Sequence, residues 1–179
     1  MMDISNKELS GSKALKIKFF FMDVDGTLTN GCTSYSEKGE AMKSFNHRDG
    51  TAIALLNHFK IGAGIITGEH SEIVKRRAEK LKINHCFLGI ANKAECLNQF
   101  ADAKKIKLDE IAYIGDDLND LKVMQLVGLS FATGDASTLV KDKADIICAA
   151  KGGEGAFREA VEILLLLRND SIESFLELL

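Results

Sequence analysis

Apolar residues in this chain fall into short blocks that stop at polar or glycine residues, and the blocks alternate between two periods. An apolar stretch from Ile17 to Met22 ends abruptly at Asp23 and Asp25, the pattern of a buried strand closed by a turn. From Gly31 to Phe45 a β-hairpin is expected, with Cys32–Tyr35 and Ala41–Phe45 flanking a turn at Ser36–Glu40. Helical periodicity then runs from about Asp49 to Phe59 through Ile53, Leu55 and Leu56. A strand is expected at 62–66, a charged helix at 71–81, a short strand at 86–88 and a helix from 92 to about 104. Further strands are expected at 111–114, 129–132 and 146–148, with a helix at 118–126 and another between the last two strands. A long helix at about 155–168 and a short amphipathic segment at 172–178 close the chain. Strands that alternate with helices predict an α/β fold, a doubly wound Rossmann-like parallel sheet with a β-hairpin insertion and no cap domain. The expected organisation is a disordered segment at 1–15, one domain at 16–168 and an amphipathic tail at 169–179.

Composition changes this picture little. The chain has 179 residues, enough for one domain with a sizeable core. A net charge of −3 without a basic stripe argues against nucleic acid as a partner. No apolar run is long enough for a membrane span, and the polar start is unlike a signal peptide, so a cytoplasmic protein is expected. Cys32, Cys86, Cys96 and Cys148 form neither a C-x-x-C pair nor a zinc spacing and read as reduced thiols.

The chemistry lies where strands stop. Asp23 and Asp25 share strand parity, yet two unpaired carboxylates are too costly to bury, so they belong at the sheet mouth. Thr67-Gly68 ends the next strand, Lys93 follows the third, and Asp116-Asp117-Leu118-Asn119-Asp120 follows the fourth. Parallel strands bring their carboxyl ends to one edge, where these groups should converge. Five aspartates at one edge repel one another. A hard divalent cation relieves that, and an all-oxygen set suits Mg²⁺. Asp116 is the favoured ligand, whereas Asp117 and Asp120 also suit helix N-capping. Lys93 sits at the positive end of a helix beside its N-cap candidate Asn92. A surface lysine would tolerate that placement at small cost, but an anion held between lysine and metal is the better account. Thr67 and Gly68 offer a hydroxyl and free N–H groups to a phosphate.

Asp23-Val24-Asp25-Gly26-Thr27, Thr67, Lys93 and Gly115-Asp116-Asp117 resemble, in order, the four motifs of the haloacid dehalogenase superfamily of phosphatases, over about residues 17–168. That resemblance implies that Asp23 is the nucleophile and Asp25 the acid/base. It implies that Thr67 and Lys93 hold the phosphoryl oxygens, and that Asp23, Asp116 and the Asp25 backbone carbonyl hold Mg²⁺. Thr27 and Gly68 become candidate substrate contacts, with Asp117 and Asp120 in support.

About forty residues separate Asp23 from Thr67, which leaves no room for a lid. The lidless pattern, with Phe45-Asn46-His47-Arg48-Asp49-Gly50 and Gly152-Gly153-Glu154-Gly155-Ala156-Phe157-Arg158-Glu159, resembles the tetrameric phosphatases of 3-deoxy-ulosonic acids. The resemblance implies a homotetramer joined by hairpins, with the tail of one subunit closing its neighbour's site. Arg48 and Arg158 are then candidates for the substrate carboxylate, although Arg158 could instead pair along its own helix with Glu154 or Glu162. The implied substrate is a small phosphorylated sugar acid, 3-deoxy-D-manno-octulosonate 8-phosphate of lipopolysaccharide precursor synthesis. Glu69 and Glu154 depart from the cations typical of octulosonate enzymes, and Glu69 with Lys80 resembles relatives that act on nine-carbon ulosonate 9-phosphates. Two other classes compete. A receiver-like signalling domain leaves Asp25-Gly26-Thr27 without a role, and a regulatory remnant would not need four intact motifs.

Overall fold

The computed structural model describes residues 10–178 and forms a parallel sheet of six strands in the order β5-β4-β1-β6-β7-β8. These are β1 (Phe19–Met22), β4 (Gly62–Ile66), β5 (His85–Phe87), β6 (Ile111–Gly115), β7 (Leu129–Ala132) and β8 (Ile146–Ile147). At the centre, Phe21 of β1 lies opposite Gly64 of β4 and Tyr113 of β6. Side chains alternate across a strand, so Phe20 and Met22 enter one apolar layer and Phe21 the other. The first layer is covered by α2 (His47–His58), α3 (Glu72–Lys80) and α7 (Ala156–Leu167). In it the Phe20 ring meets those of Phe131 and Phe157, each at 5.3 Å. The opposite layer is covered by α4 (Lys93–Lys104), α5 (Leu121–Met124) and α6 (Thr138–Lys143).

Local sequence sets where the helices start. Asn46, Ser71 and Asn92 are the N-caps of α2, α3 and α4, and their side chains accept from the N–H groups of Arg48, Val74 and Glu95. Helix α7 begins after Gly155, which has no side chain to cap it. Asp49 of α2 supplies the missing acceptor, its Oδ1 taking the Arg158 N–H at 3.0 Å. Burial pushes the Asp49 carboxyl up to about 6.

The chain winds from β1 to β4 and β5 on one side, then returns across β1 to lay down β6, β7 and β8 on the other. The direction reverses beside β1, and ligands of such sheets bind at the carboxyl ends next to that reversal. Between β1 and α2 the only regular structure is a separate two-stranded hairpin, β2 (Ser34–Ser36) and β3 (Gly39–Met42), so no cap domain is inserted. The hairpin is shorter than its sequence pattern suggests. Gly39, with φ of 103°, turns the chain after only Glu37 and Lys38.

Two boundaries differ from expectation. Residues 10–14 are helical (α1), and Ala14 is fully buried against the first layer, so that part of the segment read as disordered is ordered. Residues 1–9 of that segment lie outside the described residues. The expected helix at 118–126 is a 3₁₀ turn, Leu118–Asp120, followed by the short α5. Its first turn is tightened because Asp120 turns back to accept from the Asp116 and Asp117 N–H groups. In the tail, the 3₁₀ segment Ile172–Leu178 lays Ile172 and Phe175 on the first layer, and Ser174 hydrogen-bonds His58 of α2 at 3.1 Å. No helix among the described residues is long and apolar enough to cross a membrane.

Candidate active site

The ends of β1, β4 and β6 and the start of α4 meet at the reversal point. Asp23 follows β1 and is only 4% exposed, and its N–H still pairs with the Ile114 carbonyl of β6 at 3.1 Å. Lys93, the first residue of α4, is 3% exposed. Its ammonium spans two carboxylates, donating to Asp23 Oδ1 at 2.6 Å and to Asp120 Oδ1 at 2.7 Å. Burial works against the Lys93 charge, but Asp23 and Asp120 outweigh it and hold the amine above its ordinary range.

Asp120 is fully buried and fully used. Besides Lys93 it accepts from Tyr113 Oη at 2.7 Å and from the N–H groups of Asp116 and Asp117 at 3.0 and 3.3 Å. It therefore braces Lys93 and the loop after β6. Asp117 is exposed and caps the following turn through Leu118 N–H at 2.8 Å. Asp116 is held from the other side by Thr27 Oγ1 at 3.1 Å. Thr27 is fully buried and its hydroxyl is given to Asp116, which it orients. Gly26, with φ of 91°, lets the β1 loop pass so close to Asp116 that any side chain there would overlap the carboxylate.

Ligand oxygens of Asp23, Asp116 and Asp120 lie within 4.8 Å of one another. Burial and the Asp120 charge raise the Asp23 carboxyl to about 7 against the pull of Lys93. The same two causes raise Asp116 to about 7, opposed by the Thr27 hydrogen bond and Lys93. Crowded carboxylates and an all-oxygen donor set fit a hard divalent cation. Asp120 has committed both oxygens to hydrogen bonds, which leaves Asp23 and Asp116 as the available side-chain ligands. The Asp25 carboxylate is outside this group and turns to Lys43.

A pH dependence follows for the metal-free protein. Between 3.8 and about 7 the folded state holds protons on Asp23 and Asp116 that the unfolded chain has released. Stability contributed by these groups therefore falls as pH rises through that window. Thermal unfolding across the window should show a steeper loss for the wild type than for Asp116→Asn, which removes one of the two titrations. Equal slopes would contradict the strained cluster.

The remaining expected residues divide. Thr67 is buried at the end of β4, with Oγ1 accepting the Glu69 N–H at 3.3 Å, and Gly68 is exposed beside it. Glu69 is exposed on the same loop, whereas Lys80 is exposed at the far end of α3. Nine helical residues span about 13 Å, which sets Lys80 apart from the Thr67 loop of its own chain. Arg48 and Arg158 line one shallow surface with Glu154 and Glu162, and Arg158 Nε donates to Glu162 at 2.6 Å. That is the within-helix pairing. The glycine segment is also fixed: Gly153 N–H donates to the Thr27 carbonyl at 3.0 Å, and Gly152 packs on Gly26 where no side chain would fit.

Three participants lie outside the expected site residues. Lys43 reads as an ordinary hairpin lysine, and Asp49 as an ordinary first-turn acid. Tyr113 gave a hint only, since a phenol inside an apolar strand requires a partner.

Residues 71–158 match the profile of a family described as haloacid dehalogenase-like hydrolase. The 3-deoxy-D-manno-octulosonate 8-phosphate phosphatase of Escherichia coli is 39% identical over 155 residues, covering 87% of this chain and 82% of that protein. The crystal structure of the phosphatase of that name from Moraxella catarrhalis, in complex with magnesium, phosphate and KDO, superposes with a TM-score of 0.89. It is 36% identical and covers 94% of this chain and 96% of that one. A cobalt-bound deoxy-D-mannose-octulosonate 8-phosphate phosphatase from Haemophilus influenzae gives 0.87 at 37% identity, covering 92% of this chain and 99% of that one.

Proposed function

The chain belongs to the haloacid dehalogenase-like hydrolases, and we propose that it is a Mg²⁺-dependent phosphomonoesterase acting on 3-deoxy-D-manno-octulosonate 8-phosphate, in lipopolysaccharide precursor synthesis. The observation that carries this reading is Lys93 bridging buried Asp23 and Asp120, with Asp116 alongside, at the reversal point of the sheet. The relatives named for this activity, one of them crystallised with magnesium, phosphate and KDO, support the substrate and the metal.

The residues divide the reaction into two displacements. A carboxylate oxygen of Asp23 attacks phosphorus, the bond to the sugar oxygen breaks, and Asp25 in its acid form gives that oxygen a proton. Water then attacks the aspartyl phosphate, its proton passes to Asp25, and Asp23 is released with phosphate. Lys93 and the Thr67 loop stabilise charge on the phosphoryl oxygens. Asp23, Asp116 and the Asp25 backbone carbonyl would hold Mg²⁺, which when bound neutralises charge on the phosphoryl group.

Assembly as a homotetramer through the hairpin fits Tyr35 and Met42, which are 70% and 57% exposed on an element that packs little of its own surface. In such an assembly a neighbour could bring its Arg48 and Arg158 to the sugar carboxylate. The free thiols suit a cytoplasmic setting. A second reading, a nonulosonate 9-phosphate phosphatase, is favoured by one observation: Glu69 stands exposed beside Thr67, where an anionic substrate would otherwise meet a cation. A screen with Mg²⁺ against the octulosonate 8-phosphate, nonulosonate 9-phosphates and hexose phosphates tests both. The octulosonate ester should be hydrolysed fastest, excess EDTA should abolish turnover, and Ca²⁺ should inhibit because of its looser, higher coordination. Sedimentation of the same preparation checks the tetramer. Full activity in EDTA, or preference for the nine-carbon ester, would overturn the metal or the substrate respectively.

A further inference from the structure

Among the described residues only two lysines are buried, Lys93 and Lys43. Lys93 belongs to the nucleophile cluster. Lys43 comes from the end of the hairpin, and its side chain is 1% exposed although both hairpin strands are largely open to solvent. A buried ammonium is costly unless paired, and this one is fully engaged. Its Nζ donates to Asp25 Oδ1 and to Thr33 Oγ1, the latter at 2.8 Å, and lies 3.4 Å from Glu40 Oε1. Glu40 in turn accepts from Ser71 Oγ, the N-cap of α3, just beyond the Thr67 loop. The base of the hairpin is thus fastened both to Asp25 and to the loop that follows β4.

The pairing treats the two oxygens of Asp25 differently. Oδ1 takes Lys43 and, at 3.5 Å, Thr29 Oγ1, whereas Oδ2 is buried with no hydrogen-bond partner among the described residues. A charge-assisted bond of this kind fixes a carboxylate more firmly than a neutral one. We propose that Lys43 is a positioning residue for the acid/base: it holds Asp25 by Oδ1, so that Oδ2 alone carries the proton to the leaving sugar oxygen and takes it back from water. The hairpin then belongs to the catalytic apparatus as well as to any subunit contact. This assignment rests on the phosphatase reading above and on Asp25 as its acid/base.

Leaving groups separate positioning from mere structural support. An alkoxide departs from a sugar phosphate only if protonated, whereas p-nitrophenolate departs without help. In a single turnover, which excludes the water step both esters share, Lys43→Met should therefore slow release of the sugar about 100-fold, within the range that general acid catalysis supplies, and release of p-nitrophenolate by less than about threefold. On an Asp25→Asn background the same substitution should cost almost nothing more on the sugar phosphate, because the group it positions is gone. Lys43→Gln keeps a neutral donor for Asp25 and so protects the fold. It should show the same selectivity at a smaller amplitude, and serves if the methionine variant does not fold. Equal falls on both esters, or losses that simply multiply with Asp25→Asn, overturn the assignment alone. A wild type inactive on both esters with Mg²⁺ overturns the phosphatase reading and this assignment with it.

Discussion

Asp23→Asn is expected to abolish turnover while leaving the fold intact. An amide is nearly isosteric with the carboxylate, and its oxygen can still accept from Lys93, which lies 2.6 Å from Asp23 Oδ1. The charge itself contributes little to folding. Burial and the neighbouring Asp120 disfavour it and raise the carboxyl to about 7, with Lys93 and the Val24 N–H opposing. Its removal should therefore leave the melting temperature unchanged or higher. An amide cannot form the covalent phosphoryl intermediate, however, and loss of a covalent nucleophile costs roughly 10⁴–10⁶-fold in turnover. Steady-state hydrolysis by the purified variant, with its thermal unfolding alongside, checks both halves. A variant as active as the wild type would contradict the assignment of the nucleophile.

The second large effect concerns Asp120, which never touches the reacting atoms. Asp120→Ala removes four hydrogen bonds at once, leaving Tyr113 Oη and the Asp116 and Asp117 N–H groups without their acceptor and Lys93 with one carboxylate in place of two. Breaking a buried, hydrogen-bonded charge pair costs about 3–5 kcal/mol. Relief of the repulsion that Asp120 exerts on Asp23 and Asp116 offsets part of this, but that repulsion acts against groups already stabilised by Lys93 and Thr27. Loss should dominate. A fall in melting temperature of roughly 10 °C is expected for a domain of this size. Turnover should also drop by about 100-fold, the scale of a small misplacement of a charge-stabilising group. Urea unfolding that shows a change below about 1 kcal/mol would refute the bracing role, since one ordinary hydrogen bond is worth that much.

What could be read from the sequence was what is written locally. Ile17 to Met22 announces a buried strand, and the aspartates that stop it could only sit at its mouth, because no strand interior tolerates them unpaired. Lys93 was legible for a similar reason: a cation at a helix N-terminus is locally wrong and calls for an external partner. The partner expected was a bound anion; the structure pairs Lys93 with two carboxylates of the chain, Asp23 and Asp120.

Long-range complementarity was not legible. Lys43 and Asp25 are 18 residues apart and meet only because the hairpin folds back over the β1 loop, and nothing within either segment specifies the encounter. Thr27, expected among the substrate contacts, is buried because Asp116 arrives from 89 residues away and takes its hydroxyl. Arg158 could pair along its helix or reach elsewhere, and sequence alone leaves both open. In the fold it holds Glu162. Helix periodicity also overran at 118–126, since the Asp120 side chain competes for backbone N–H groups and tightens the first turn.

In the proposed reaction Asp23 carries the phosphoryl group between the two displacements. Asp25→Asn should slow hydrolysis of the intermediate and let it accumulate, most visibly with p-nitrophenyl phosphate, whose leaving group needs no proton. Acid quenching of that variant during turnover, followed by proteolysis and mass spectrometry, reads the result directly. A phosphoryl adduct on Asp23, absent in the Asp23→Asn/Asp25→Asn double variant, is the predicted outcome. An adduct on any other residue, or turnover that leaves Asp23 unmodified throughout, would contradict it.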